Sequence, residues 1–363
     1  MRIGLYGLPT AGKTFLLDQI KCMDVLSGSS LLKKLSPDFQ SLPADKKREV
    51  REQLAISLRQ RDHFIMDGHY SFGDDVVFTE ADGELYDVIL YLYVDASVLK
   101  ERMEASERNR KYLKFDIEGW QMCEIAALRQ YCHEHDKDFY VIDSPEEKEL
   151  DISVARRFIY LVASNHYSCV SFARKCADKI ADPFTLMLEM RRCRYSNHIR
   201  LADGDRTTII EDSCGYLGYE THIFDGNFYT GYQFWKHHLA FESFLLEQNG
   251  KIPSVDELCQ KLHKNTKIHC FTILTSGYED FWKKFANLRQ HTEVYCGPEM
   301  SADTKYFITK FLQRKGFVVT AYGDSMNDYY MIKQADTGNI VLREDHSVSS
   351  SLKNQDLGGL NYV

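Results

Sequence analysis

Gly7-Leu8-Pro9-Thr10-Ala11-Gly12-Lys13-Thr14 sets two glycines, a lysine and a hydroxyl in the pattern G-x-x-x-x-G-K-[ST]. The glycines free backbone N–H groups to wrap phosphate oxygens. Lys13 is placed to reach the outer phosphates of a nucleoside triphosphate, and Thr14 to ligate Mg²⁺. Phe64-Ile65-Met66-Asp67 is an apolar run ending in a carboxylate, the position for an acid that orients a metal or activates an acceptor. A carboxylate capping the turn with Gly68 is the plainer alternative. Arg102, Arg108 and Arg110 suit a lid over a transferring phosphoryl group, because a guanidinium fork neutralises its equatorial oxygens. They equally suit a solvated helix face. Asp95, just ahead of a helical pattern, reads as an N-cap, and His69 either touches substrate or packs.

A second set of residues lies in the other half. Asp203-Gly204-Asp205-Arg206-Thr207 fits D-x-D-x-T, with two carboxylates at i and i+2. That spacing suits a nucleophile beside a general acid/base, both near one Mg²⁺. Ser276 then ends the run Ile273-Leu274-Thr275, Lys305 follows on a helical stretch, and Gly323-Asp324-Ser325-Met326-Asn327-Asp328 brings two more carboxylates to another strand end. Singly these read as a turn, a surface lysine and a helix-capping loop. In this order, with three of the four at strand ends, they read as one site.

Such residues need strand ends to hold them. Residues 2–6, 63–66, 87–94 and 138–142 are short apolar runs that read as strands, with helices starting near Lys13, at Ala96 and over 152–163. This β/α alternation implies a parallel sheet covered on both faces. A polar turn is expected at 144–150 and a domain boundary near 164–167. A helical stretch, 170–194, opens a second series with strands at 199–202, 269–274, 293–296, 318–322 and 340–341. An insertion rich in Tyr and Phe, 215–262, separates the first two of these. Residues 347–363 are weakly patterned. The expected fold class is α/β, with two three-layer parallel-sheet domains over 1–165 and 166–363.

The chain of 363 residues, 44% hydrophobic and 27% charged, gives each half enough apolar side chains for its own core. A formal charge of -8 supplies no global attraction to nucleic acid or to an anionic membrane. The 10 cysteines form no CxxC pair and no zinc-finger spacing, which fits reduced thiols in a cytoplasmic protein. The first apolar stretch runs straight into the glycine loop, unlike a signal peptide, and no apolar run is long enough for a bilayer. No membrane partner is expected.

Residues 1–165 resemble the nucleoside monophosphate kinase group. The carrying residues are the P-loop, Phe64-Ile65-Met66-Asp67-Gly68-His69-Tyr70, and residues 88–103 followed by Arg108-Asn109-Arg110-Lys111-Tyr112. The resemblance implies a P-loop kinase fold that transfers the γ-phosphate of ATP to a nucleotide or other small hydroxyl or phosphate acceptor. It places Gly7, Gly12, Lys13, Thr14, Arg102, Arg108 and Arg110 on the nucleotide, and Lys13 and Asp67 in catalysis. Residues 24–60, where an acceptor would bind, match no pattern, so the acceptor does not carry over.

Residues 195–345 resemble the haloacid dehalogenase superfamily, in particular its phosphoserine-phosphatase-like branch. That implies a Rossmann-like fold with a small helical cap at 215–262. By this resemblance Asp203 forms an aspartyl-phosphate, and Asp205 protonates the leaving oxygen and then activates water. Ser276 and Lys305 hold the phosphoryl oxygens. Asp203, Asp324 and the main-chain carbonyl of Asp205 bind Mg²⁺, with Asn327 and Asp328 completing that metal site. Arg206 in place of the usual glycine, and Arg200 in the preceding strand, are departures that leave room for an unusual pocket. Tyr229, Tyr232, Trp235 and His237 either line that pocket or pack the cap.

Together the halves imply a bifunctional kinase and phosphatase acting on nucleotide-like or small phosphorylated metabolites, with ATP and Mg²⁺ as cofactors. The domain order also resembles the polynucleotide kinase/phosphatase family, which makes nucleic-acid ends the alternative partner. A basic cluster at 46–51 with Arg59 and Arg61 would then form a strand groove, or else a solvated helix face. In a third alternative the first half senses nucleotide and gates the phosphatase. The first half contains no N-K-x-D guanine-reading motif, which argues against a GTPase.

Overall fold

A computed structural model of the chain describes residues 1–143, 151–182, 197–248, 250–268, 272–289 and 292–363. They form two compact units, Met1–Ser168 and Cys169–Val363. The polar turn expected at 144–150, the end of the helical stretch 170–194 and the start of the strand 269–274 lie outside the described residues.

In the first unit the strands are β1 (Arg2–Tyr6), β2 (Asp24–Ser27) and β3 (Phe64–Asp67), a short antiparallel hairpin of β4 (Ser71–Phe72) and β5 (Asp75–Val76), then β6 (Val88–Leu92) and β7 (Asp138–Ile142). The main sheet runs β2-β3-β1-β6-β7 and is parallel throughout. Every residue of β6 and β7 is buried, as a parallel sheet covered on both faces requires. That is why both strands stand out as continuous apolar runs. β2 does not stand out, because only Leu26 of its four residues is buried at this sheet edge.

The second unit carries β8 (His198–Asp203), β9 (Thr272–Thr275), β10 (Glu293–Cys296), β11 (Val318–Gly323), β12 (Thr337–Ile340) and β13 (Asn361–Tyr362). Their order is β10-β9-β8-β11-β12-β13, again all parallel. Successive strand residues point to opposite faces, and β9 divides two cores on that rule. Leu274 joins the cluster with Phe307, Phe311 and Ala173, while Ile273 joins the one with Phe281, Trp282 and Phe241. The architecture is therefore α/β with two parallel sheets, as expected. β13 falls in the stretch expected to be weakly patterned; both its residues are exposed, and pairing with β12 alone makes it a strand. The insertion after β8 is helical, with helices Gly231–Gln248 and Val255–Lys261. The second begins in a capping box, Ser254 accepting from the Glu257 N–H while Glu257 receives the Ser254 N–H.

Candidate functional site

The glycine loop leaves the C-terminal end of β1, the central strand of its sheet. Leu5 is in register with Asp67 of β3, which sets that carboxylate level with the start of the loop. Gly7 has φ 146°, and a Cβ there would lie 2.7 Å from the Leu92 carbonyl oxygen, so a side chain would collide with β6. Gly12, at φ 96°, opens the helix Lys13–Asp18. Lys13 is buried, its Nζ donating to the carbonyls of Gly7 and, at 3.1 Å, Leu8. Burial lowers its pKa to about 8, opposed by the charges of Asp67 and Glu124. Thr14 faces solvent at the start of the helix.

Asp67 accepts the Gly28 N–H at 2.8 Å, so it secures the entry to the helix Gly28–Leu35 as well as facing the loop. Arg102 reaches the loop, its Nη1 lying 3.3 Å from the Thr10 oxygen and 3.5 Å from that of Ala11. Arg110 does not; it turns back to the Glu104 carbonyl at 2.9 Å. Arg108 shows itself through His69, whose pKa is pushed well down by burial, then by the charges of Lys13, Arg108 and Arg51. The His69 ring packs on Phe72 at 4.7 Å, and its buried Nδ1 has no hydrogen-bond partner among the described residues. Asp95 caps its helix, accepting from the Ser97 N–H at 2.8 Å.

Glu124 escaped the sequence reading. It is buried, and it receives the Ser71 hydroxyl at 2.6 Å, the Ser71 N–H at 3.0 Å, the Tyr91 hydroxyl at 2.9 Å and the Trp120 Nε1–H at 3.0 Å. Burial raises its pKa against those donors and the charge of Lys13. The available signal is a charged residue one turn after Trp120, between apolar Cys123 and Ile125, on a helix that buries that face. Four side chains of the basic cluster, by contrast, have acidic partners. Lys46 pairs with Glu49, Arg48 with Glu52, Arg59 with Glu84 and Arg61 with Asp24, while Arg51 lies over the Phe39 ring.

In the second unit three neighbouring strands, β9, β8 and β11, deliver their loops to one place. Asp203 ends β8 in register with Leu274, and Tyr322 pairs with Ala202, so Asp324 emerges beside Asp203. Lys305, on the helix Ala302–Arg314, is wholly buried and donates to Asp203 Oδ1 at 2.5 Å and Asp328 Oδ1 at 2.7 Å. Burial disfavours its charge, yet Asp203 and Asp328 outweigh that and raise its pKa. Burial and then the charge of Asp328 push Asp203 up to about 7, against the pull of Lys305. The other oxygen of Asp328 takes the N–H groups of Asp324 at 3.1 Å and Ser325 at 3.2 Å and the Ser325 hydroxyl at 3.1 Å. Asp328 thus supports both Lys305 and the turn at Asp324.

Asp205 sits apart from this network. Its Oδ1 accepts the Ser213 N–H at 2.7 Å. Burial, with Asp212 and Asp203 adding to it, holds its carboxyl well above the ordinary carboxylate range. Gly277 makes that placement possible, since a Cβ there would lie 1.9 Å from Asp205 Oδ2. Ser276 receives the Asn327 amide at 3.4 Å. Asp203, Asp205, Ser276 and Asp324 all line one cleft of about 150 Å³. Tyr229 and His237 of the insertion line it too, whereas Tyr232 and Trp235 are buried in the packing.

Carboxylate oxygens of Asp203, Asp324 and Asp328 lie within 4.8 Å of one another. Asp324 Oδ2 and Asn327 Oδ1 are buried with no hydrogen-bond partner among the described residues. A hard oxygen set with an orphaned carboxylate oxygen fits Mg²⁺. Asp203 and Asp324, with Asp328 beside them, are the side chains placed to hold the ion.

No family model matches the chain, and no curated protein sequence matches it. Among solved structures, shikimate kinase from Acinetobacter baumannii in complex with shikimate aligns with 46% of this chain and 95% of its own, at 15% identity and a TM-score of 0.32. Shikimate kinase from Aquifex aeolicus aligns with 46% of this chain and 98% of its own, at 14% identity and a TM-score of 0.30. A HAD family hydrolase from Salmonella enterica aligns with 51% of this chain and 78% of its own, at 13% identity and a TM-score of 0.30.

Proposed function

We propose that the chain is a bifunctional phosphoryl-transfer enzyme: an ATP-dependent kinase of a nucleotide-like or small acceptor in residues 1–165, and a Mg²⁺-dependent phosphomonoesterase in residues 166–363. The observation that carries this reading is the chemistry gathered at the strand ends of the second unit. Lys305 is locked between Asp203 and Asp328, with an orphaned Asp324 oxygen and the Asp205 carboxyl facing the same cleft.

In the phosphatase an oxygen of Asp203 attacks phosphorus and the ester P–O bond breaks. Asp205, whose carboxyl is held above the ordinary carboxylate range, gives its proton to the departing alcohol oxygen. Asp205 then takes a proton from water, whose oxygen attacks the same phosphorus. The bond to Asp203 breaks and inorganic phosphate leaves. Lys305 holds Asp203 in place, and Ser276 is positioned to donate to a phosphoryl oxygen. Mg²⁺ on Asp203 and Asp324 would neutralise the phosphoryl charge and the crowding of carboxylates.

In the kinase, Lys13 and the N–H groups of the glycine loop bind the ATP phosphates, and Thr14 provides the oxygen for their Mg²⁺. Arg102, already at the loop, is placed to bind the transferring group, and Asp67 to orient the acceptor hydroxyl. The paired state of Lys46, Arg48, Arg59 and Arg61 favours a small acceptor over a polynucleotide strand.

The test uses the Asp203→Asn variant, so that product survives. Transfer from γ-labelled ATP is followed to nucleosides, nucleoside monophosphates and a 5′-OH oligonucleotide side by side. Labelling of a small acceptor supports the proposal. Labelling of the oligonucleotide alone replaces it with strand-end repair, and ATP binding without any transfer replaces it with a nucleotide sensor.

A further inference from the structure

The cleft above Asp203 has two walls of opposite character. One carries the reacting groups. The other is aromatic: Phe224, Tyr229, Phe234 and His237, all from the helical insertion, face the same space. Phe224 is the hub of this wall. It stacks on Tyr229 at 5.2 Å with 18° between planes, and its ring centre lies 4.9 Å from that of Phe234 and 5.4 Å from that of His237.

The charge around the cleft is one-sided. Arg206 is the cation that lines it among the described residues, and its Nη2 is paired with Asp212 at 3.5 Å. The acids that line it are Asp203, Asp212 and Asp324, together with Asp205, which carries the proton for the leaving alcohol in the proposed mechanism. His237 adds no positive charge near neutrality, because burial pulls its pKa down to about 4. With Mg²⁺ on Asp203 and Asp324, an anionic group on the alcohol side of a substrate would still face Asp212 and the electron-rich faces of aromatic rings. A flat uncharged group would instead exchange water for ring faces. A volume of about 150 Å³ leaves room for a phosphoryl group with a small ring system against this wall.

Resting on the phosphatase reading above, we propose that this cleft selects phosphomonoesters whose alcohol portion is a small planar or aromatic group without negative charge, with Phe224 as the specificity-determining contact. Phosphorylated amino acids and sugar acids are disfavoured, because their carboxylate finds no unpaired cation among the described residues that line the cleft. A polynucleotide end is disfavoured for the same reason, since its next phosphodiester carries a charge into the aromatic wall.

The experiment compares benzyl phosphate, O-phosphoserine and 3-phosphoglycerate with Mg²⁺. All three release a primary alcohol, so their kcat/KM values differ mainly through recognition. Benzyl phosphate is expected to lead by at least about tenfold. In Phe224→Ala its KM rises by about tenfold with kcat little changed, while inhibition by inorganic phosphate stays as in the wild type. Phe224→Leu, which keeps most of the volume, shows the same pattern in milder form. Equal or better turnover of either carboxylate ester overturns the inference, as does a parallel loss of phosphate binding in both variants. These results leave the phosphatase reading standing. Hydrolysis of none of the three esters, or hydrolysis that persists in Asp203→Asn, removes that reading and this inference with it.

Discussion

Both units bury a lysine at the C-terminal end of a parallel sheet, and they treat its charge in opposite ways. Lys13 hydrogen-bonds only to the neutral carbonyls of Gly7 and Leu8, and burial prevails, taking its pKa down to about 8. Lys305 lies against two carboxylates at 2.5 and 2.7 Å, and its pKa rises although its burial is complete. The first lysine lacks a close counter-charge, which in the proposed kinase the phosphates of ATP would supply. The second has its counter-charges built into the fold, and in the proposed phosphatase it aligns Asp203. On the proposed reading one residue type binds ligand in one site and braces the other.

The largest effects should separate the two sites completely. Asp203→Asn is expected to lower hydrolysis of an aryl phosphate by at least about 10³-fold, with ATP-dependent transfer intact. Lys13→Ala is expected to lower transfer by about 10²–10³-fold and leave hydrolysis unchanged. A variant that damages both activities would break the comparison, and initial-rate assays of each variant with both substrates decide it.

Stability should then sort the lysines. Lys305→Met leaves Asp203 and Asp328 buried without their cation, at a cost of about 3–5 kcal/mol to the second unit. Lys13→Met removes an ammonium bonded only to carbonyls, and the first unit should change by no more than about 1 kcal/mol. Urea unfolding can be followed by tryptophan fluorescence, because Trp120 lies in the first unit and Trp235 and Trp282 in the second. Equal losses for the two variants would contradict the contrast drawn from their partners.

Glu124→Ala leaves the buried Tyr91 and Ser71 hydroxyls without their acceptor, while Trp120 Nε1–H keeps the Ser71 oxygen at 2.6 Å. A loss of about 2–3 kcal/mol is expected in the unfolding of the first unit. Glu124→Gln, which keeps one carbonyl oxygen, should lose less. A silent Glu124→Ala would show that this carboxylate does not brace the strand end next to the loop.

The smallest effect concerns pH. The folded pKa of His237, about 4, lies below its ordinary value of 6.5. Its contribution to stability is therefore complete above 6.5 and is lost as pH falls towards about 4, where the unfolded chain binds a proton that the native state refuses. His237→Gln should flatten the slope of unfolding midpoint against pH across that window. An unchanged slope would mean that the aromatic wall tolerates an imidazolium.

The sequence made some of this molecule legible and hid the rest for identifiable reasons. The strands β6 and β7 were readable because every residue in them is buried, so composition alone marked them. The edge strands β2 and β13 bury little and exist through pairing with a neighbour, which no local pattern encodes. Among the candidate residues, Gly7, Gly12, Lys13 and Thr14 lie on one loop, and Asp203 and Asp205 on another. Their relative positions are fixed by a few backbone dihedrals, so spacing could identify them.

Beyond such loops, only the fold could decide. Glu124 meets Ser71 and Tyr91 across the first unit, and Lys305 meets Asp203 from a sequence separation of 102 residues. Arg102 reaches the glycine loop while Arg110, with the same side chain and nearly the same place in sequence, turns back to Glu104. Tyr229 and His237 face the cleft while Tyr232 and Trp235, between them in sequence, are packed away. The sequence by itself determined which chemical groups the chain carries and the short loops that present them. The tertiary structure decided which of those groups meet and which lose their water. Burial and the nearest charge then set the state of each lysine, carboxylate and imidazole, because desolvation and Coulomb energy depend on distance in space and not on position along the chain.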